Sequence, residues 1–267
     1  MKYDAKYKNY LAPIPYLISH YIYEYDISKA NISVLFYKGI ISREDYEYMS
    51  SLPREQRQVY VGLMQKDKEI ANVISDGIAE FRYRFLTENN ITDAELLSVK
   101  NDAIFLIDKI PTITVFDGIE FKRKNVYTSY FYLNKLEVYY YLNQIEDKEI
   151  IDIKGINDEK LLLHQNFFIE FLCSVFEYLQ TKPIDHTIEL INAFHNAYVN
   201  RQLSIEFYRE LNADSCYRIS RRDGTSYLFE TINEENIKYL NISFNLNIIR
   251  ELYSIVTNIY FNINKNK

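Results

Sequence analysis

Two aspartates carry the strongest chemical signal in the chain. Asp26 closes HYIYEYDI, an alternating run that reads as a strand, and the helical spacing of SKANISVL begins directly after it. Asp102 stands in SVKNDAIFLI, between the β-rich runs LLSV and AIFLI, where Asn-Asp is turn chemistry. If the first strand lies beside that hairpin, the two carboxylates approach each other. Paired carboxylates at strand ends can hold two divalent ions about 3.5–4 Å apart for in-line phosphoryl transfer. Hard oxygen ligands suit Mg²⁺, which keeps waters and substrate phosphates in its shell. Plainer readings stand beside these: Asp26 as a helix cap contributing about 1 kcal/mol, and Asp102 as a turn residue. Between the acids, PREQRQVYVGLMQKDK sets Arg54 and Arg57 at i,i+3 on one face of an expected helix. Two guanidinium groups there could hold a triphosphate bidentately, or could form a solvated face.

The elements that must position these residues follow from spacing and punctuation. A strand over 20–27 leads to a helix over Lys29–Tyr37, which Gly39 ends. Ser42 and Asp45 have the spacing of a capping box. Pro53 opens a helical stretch reaching to about Asn89, interrupted at Gly62 and Gly77. After the hairpin come TITVF, IEFKRK, TSYFYLN, LEVYYYL and EIIDIKGI, giving an antiparallel sheet of about five to seven strands. Beyond Gly155 the spacing turns helical in DEKLLLHQNFFIEFLCSVFEYLQ and again over 185–200, 202–211 and 245–262. A small hairpin is expected about Arg222-Asp223-Gly224. The expected fold is α+β: a sheet with flanking helices in residues 1–155, then a mostly helical region in 156–267.

The order strand, acid, helix, basic helix, hairpin, acid is that of a polymerase palm with its fingers. DISKANISVL resembles motif A of template-dependent DNA polymerases, D-x-x-S-L-Y-P-S-I-I in family B and D-Y-S-x-x-E in family A. SVKNDAIFLI resembles the motif C hairpin, Y-x-D-T-D-S or V-H-D-E. RQVYVGLMQK is similar in placement to motif B, and EIIDIKGI resembles the palm strand D-V-K-G. Lys100 stands where family B carries its first motif C acid, and Ala103 where it carries serine. The resemblance covers residues 20–155 in pieces and extends to short palm-like proteins of tailed phages. It implies a palm-like sheet and a thumb-like helical end. It implies Asp26 and Asp102 as ligands of a two-metal Mg²⁺ site, and Asn31 at the sugar-sensing steric gate. Arg57, with Arg54, would hold the incoming triphosphate, and Lys154 would lie near the primer end. The activity implied is DNA polymerase-like nucleotidyl transfer, with primer–template and dNTP as partners.

The bulk composition bounds these readings. The chain has 267 residues and a net charge of −6, so the whole surface is no magnet for nucleic acid, though a local basic groove is compatible with that sum. The basic run Lys122–Lys124 could meet phosphates with Tyr127, Tyr130 or Tyr132 stacking on bases, or could be a charged sheet edge. Arg218, Arg221 and Arg222 form a second basic cluster. Cys173 and Cys216 give neither a disulfide framework nor zinc spacing, and the four histidines show no ligand spacing. No P-loop, G-x-G-x-x-G or G-x-S-x-G occurs. No apolar run reaches about 18 residues and the N-terminus lacks a signal-like stretch, so a cytoplasmic protein without membrane partners is expected. The 26 Tyr and 16 Phe, without Trp, match AT-rich codons. They also support a non-enzymatic alternative: a degenerate scaffold serving a phage particle or replication complex as a binding or assembly protein, with a tyrosine-rich sheet as its interface.

Overall fold

The computed structural model describes residues 7–100, 102–143, 148–157, 161, 164–210, 217–220, 226–229, 233–240 and 242–265. It contains two compact units, Met1–Ile14 with His20–Tyr127 and Pro15–Ser19 with Thr128–Lys267. The boundary falls inside two long strands, β2 (Tyr16–Ile27) and β6 (Ile119–Leu133), each of which contributes residues to both units.

In the first unit β1 (Tyr10–Leu11), β3 (Leu96–Lys100), β4 (Ala103–Ile107) and β2 pair antiparallel in that order, and β5 (Val115–Phe116) pairs with the start of β6. Four helices accompany them: α1 (Ala30–Tyr37), α2 (Arg43–Ser51), α3 (Arg54–Met64) and α4 (Lys68–Glu88). Alternation along β2 sends Tyr25 and Ile27 into a core with Val34, Phe81, Phe85, Val99, Ile104 and Phe121. The opposite parity, Ile22, Glu24 and Asp26, faces away from that core. Helix α1 ends as expected: Gly39 takes a left-handed φ of 69° and donates its N–H to Phe36 O. The capping box forms, with the Ser42 side chain accepting from Asp45 N and the Asp45 carboxylate accepting from Ser42 N.

The expected interruptions at Gly62 and Gly77 are corrected. Both glycines lie inside helices, and the break falls between Met64 and Lys68, where the Asp67 side chain accepts from Glu69 N to start α4. Gly77 serves packing instead. A Cβ there would lie 2.3 Å from Val34 Cγ1, so the missing side chain lets α4 settle against α1.

In the second unit the end of β6 pairs with β7 (Leu136–Asn143), which pairs with β8 (Lys148–Lys154). The β6–β7 turn is the two-residue pair Asn134-Lys135, with φ of 49° and 69°, both left-handed as a tight hairpin of this twist requires. The runs IEFKRK and TSYFYLN, read as separate strands, are one continuous strand, β6. A π-helical segment, Phe167–Leu172, leads into α5 (Cys173–Thr181), followed by α6 (Ile184–Val199), α7 (Ile205–Glu210) and α8 (Ser243–Lys265). Phe131, Val138, Tyr140 and Ile153 of the strands are buried with Phe167, Phe171, Phe176, Ile248, Leu252 and Val256 of the helices. This shared core groups β7 and β8 with the helices, whereas the change in sequence character lies later, near Gly155. The strands β9 (Tyr217–Ser220) and β10 (Ser226–Phe229) pair antiparallel. The turn expected between them, Cys216, Arg221, Arg222 and the side chain of Arg218 lie outside the described residues.

The fold is therefore α+β, an antiparallel sheet with helices followed by a mostly helical C-terminal region. Among the described residues no helix is long and apolar enough to cross a membrane.

Candidate functional site

Strand pairing brings the two aspartates together. Asp26 lies opposite Ala103 in the β2–β4 register, so it is next to the turn that carries Asp102. Ile27 N donates to Asp102 O at 3.2 Å. Asp26 does not cap α1: the capping position belongs to Lys29, in a left-handed conformation with no side-chain cap bond. Asp26 stays within the strand, on the face shared with Glu24 and Phe105.

Glu24, two residues earlier, is 1% exposed. Its Oε2 accepts from Tyr127 Oη at 2.7 Å and from Asn125 Nδ2 at 2.7 Å, and its Oε1 accepts from Lys124 Nζ at 3.3 Å. The same ammonium lies 3.4 Å from Asp26 Oδ2. Asp26 Oδ1 is buried without a hydrogen-bond partner. Burial pushes the Asp26 carboxyl above its ordinary range, and Glu24 and Asp102 add repulsion that Lys124 only partly offsets. Burial also disfavours the charge on Lys124, but attraction to Glu24 and Asp26 outweighs it and raises that ammonium's pKa.

Asp102 lines a cleft of about 640 Å³ with Lys8, Asn9, Asn31, Arg54, Gln58, Gln65, Ile74, Ile78, Arg82 and Lys100. Asn31 reaches it from the first turn of α1 and Arg54 from the first residue of α3. Arg82, from α4, is 3% exposed and donates from Nη1 to Tyr7 O at 2.8 Å and Lys8 O at 2.9 Å. Burial lowers its pKa to about 10, against the attraction of Asp102, so it remains a cation at neutral pH.

Three of the expected site residues thus line one cleft: Asn31, Arg54 and Asp102. Asp26 neighbours Asp102 without lining it. The expectation that Arg54 and Arg57 act as a pair finds a different arrangement, because Arg57 Nη1 turns back to Leu52 O at 3.3 Å. Lys154 belongs to the second unit, where its Nζ lies 2.8 Å from Asp152 Oδ2. Tyr127 and Tyr130, expected as stacking platforms, are buried, the first bonded to Glu24. Tyr139 and Tyr140 are buried as well, so these tyrosines build core rather than an exposed face.

Sequence reasoning missed Glu24 and Arg82, and it read Lys124 only as part of a basic run and not as the partner of Glu24 and Asp26. For Arg82 a signal existed: it interrupts the apolar helical stripe Ile78, Phe81, Phe85. For Glu24 the signal was its shared parity with Asp26 on one strand.

The unpartnered Asp26 Oδ1 is an atom that a hard cation would satisfy, and Asp102 lies near enough to repel the charge on Asp26. Among the described residues no group of three or more His, Cys, Asp or Glu could hold a metal by itself. A cation at this place would need substrate oxygens and water to complete its shell.

Fold and site together define an α+β protein in which Asp26 neighbours the turn of Asp102, itself part of a cation-rich cleft. A family model described as Bacteriophage PBS1 gene 130 protein matches residues 2–258, and the chain belongs to that family. Comparison with the curated proteins finds no match.

Proposed function

We propose that the first unit is a palm-type nucleotidyltransferase centre acting on a primer–template and a nucleotide. The observation that carries this reading is that the pairing of β2 with β4 sets Asp26 opposite Ala103, one residue from Asp102, although the two acids are about 75 residues apart in the chain. Asp26 and Asp102 would hold Mg²⁺, which when bound neutralises charge on the phosphate oxygens. Arg54 would steady the phosphates of the incoming nucleotide and Asn31 its sugar. Arg57, to which the resemblance gives the triphosphate together with Arg54, donates to Leu52 O instead, and Lys154 belongs to the second unit, so neither is assigned a role in this centre. Catalysis would be positioning plus charge stabilisation of an in-line displacement. The test is primer extension with Mg²⁺ or Mn²⁺. Incorporation by the wild type, abolished in Asp26→Ala and in Asp102→Ala, is the expected result; equal incorporation in all three refutes these roles.

One observation favours a second reading, a catalytically silent binding or assembly protein. Lys124 Nζ sits 3.4 Å from Asp26 Oδ2 and 3.3 Å from Glu24 Oε1, so the acids already have an internal counter-ion. A silent protein would show no primer extension and no rise in melting temperature with either cation, whereas a metal-binding site is stabilised by its ligand.

A further inference from the structure

We propose that the cleft beside α4 is a phosphate-binding site centred on Arg82 that works without a metal ion. It rests on that centre's use of Arg54 for nucleotide phosphates and deepens it, but it does not depend on the carboxylate chemistry, so a failure of primer extension leaves it standing.

Arg82 is the reason. Its side chain is almost wholly buried, yet its Nε has no hydrogen-bond partner. A guanidinium carries five donors. Here Nη1 is used on two backbone carbonyls, which satisfy donors without neutralising the charge. A buried charged donor left unpaired is costly, and such a cost is retained where a ligand supplies the missing acceptor. Arg82 is also a lining residue of the cleft, so an acceptor placed there is within its surroundings.

The neighbouring groups say which acceptor. Lys8, Arg54 and Lys100 add three cations to the cleft wall, against the single carboxylate of Asp102. Lys8 is shared with Asp76 at 2.6 Å, and on the wall itself cationic side chains still outnumber carboxylates. One carboxylate ligand would need one guanidinium; several cations converging on a cleft of about 640 Å³ suit a multiply charged group. The rest of the lining fits what such a group is attached to. Asn9, Asn31, Gln58 and Gln65 offer both donors and acceptors, and Ile74 and Ile78 offer an apolar wall. Phosphate on a nucleotide, or in the backbone of a nucleic-acid strand, matches this chemistry.

The experiment measures binding of tripolyphosphate, dATP and a short single-stranded DNA oligonucleotide to the full chain by calorimetry in low salt with EDTA. Binding of tripolyphosphate and dATP alone assigns the phosphate to a free nucleotide. Binding of the oligonucleotide, weakened steeply by salt, assigns it to a strand backbone. In either case Arg82→Lys is expected to weaken binding more than tenfold, and Arg54→Ala and Lys100→Ala several-fold each. Lys182→Ala, in the second unit, leaves it unchanged. Because Arg82 also ties down the backbone at residues 7 and 8, the Arg54 and Lys100 variants keep the test decisive if Arg82→Lys fails to fold. No binding of any probe by the wild type, or binding unaffected by the folded cleft variants, overturns the proposal. Either result would also remove the phosphate role of Arg54, but neither touches the carboxylate roles, which primer extension with divalent cations tests.

Discussion

The two units solve the problem of a buried interior in different ways. In the second, rings fill the space: Phe171 stacks on Phe194 with centroids 3.9 Å apart, and Phe176 meets both Phe131 and Tyr140 at 4.9 Å. Its buried carboxylate, Glu137, receives the hydroxyl of Tyr139 at 2.8 Å. In the first unit the interior also admits charge that is incompletely matched, with Asp26 Oδ1 and Arg82 Nε both buried and unpartnered. A well-packed aromatic core contributes stability with little chemistry. Unmatched buried charge costs stability and is the kind of local violation expected at a working site. The contrast agrees with the site proposed in the first unit, while the larger apolar core lies in the second.

The largest expected effect tests the aromatic side of that contrast. Phe176→Ala should cost about 3–5 kcal/mol in urea unfolding, from lost transfer energy plus the cavity left behind. A loss below about 1 kcal/mol would break the comparison. Next comes Gly77→Ala in the first unit. Alanine is the better helix former by about 1 kcal/mol, yet its Cβ would collide with Val34, so a net loss of about 1–3 kcal/mol is expected. Val34→Ala in the same chain should recover most of it.

The smallest effect is the most diagnostic. Folding holds the Asp26 carboxyl above its ordinary pKa through burial and the repulsion of Glu24 and Asp102. The folded state thus prefers the protonated acid. That contribution is fully present below the unfolded pKa, near pH 4, and is lost as pH rises through the elevated folded value. At pH 7, Asp26→Asn should melt at or above the wild-type temperature, and the gain should vanish as pH falls toward 4. A loss of about 1 kcal/mol, as for a deleted helix cap, would contradict this account.

Much of the fold was legible because local chemistry and tertiary need agree. The hairpin about Asp102 follows from alternation on both sides of a turn dipeptide, and the capping box from a four-residue pattern. The helices after residue 184 follow from apolar spacing. Strand β1 escaped because two residues have no period, and β6 was split because the polar run KRKN interrupts its alternation while the backbone continues. The helix break was placed at Gly62 on propensity, whereas the cap at Asp67 decides it. Around the candidate site the strand position of Asp26 and the turn position of Asp102 were legible because strand and turn signals locate each one. Lys124 and Glu24, a hundred residues apart, were not, since only the neighbouring strands bring them together.

The grouping of β7 and β8 with the helices has a practical corollary for anyone dividing the gene. A fragment ending at Gly155 would carry Val138, Tyr140 and Ile153 but none of the helical phenylalanines, Phe167 to Phe176, that share their core. Such a fragment would show water a greasy ribbon with an open edge, and would be expected to come out of cells as inclusion bodies rather than as a working half.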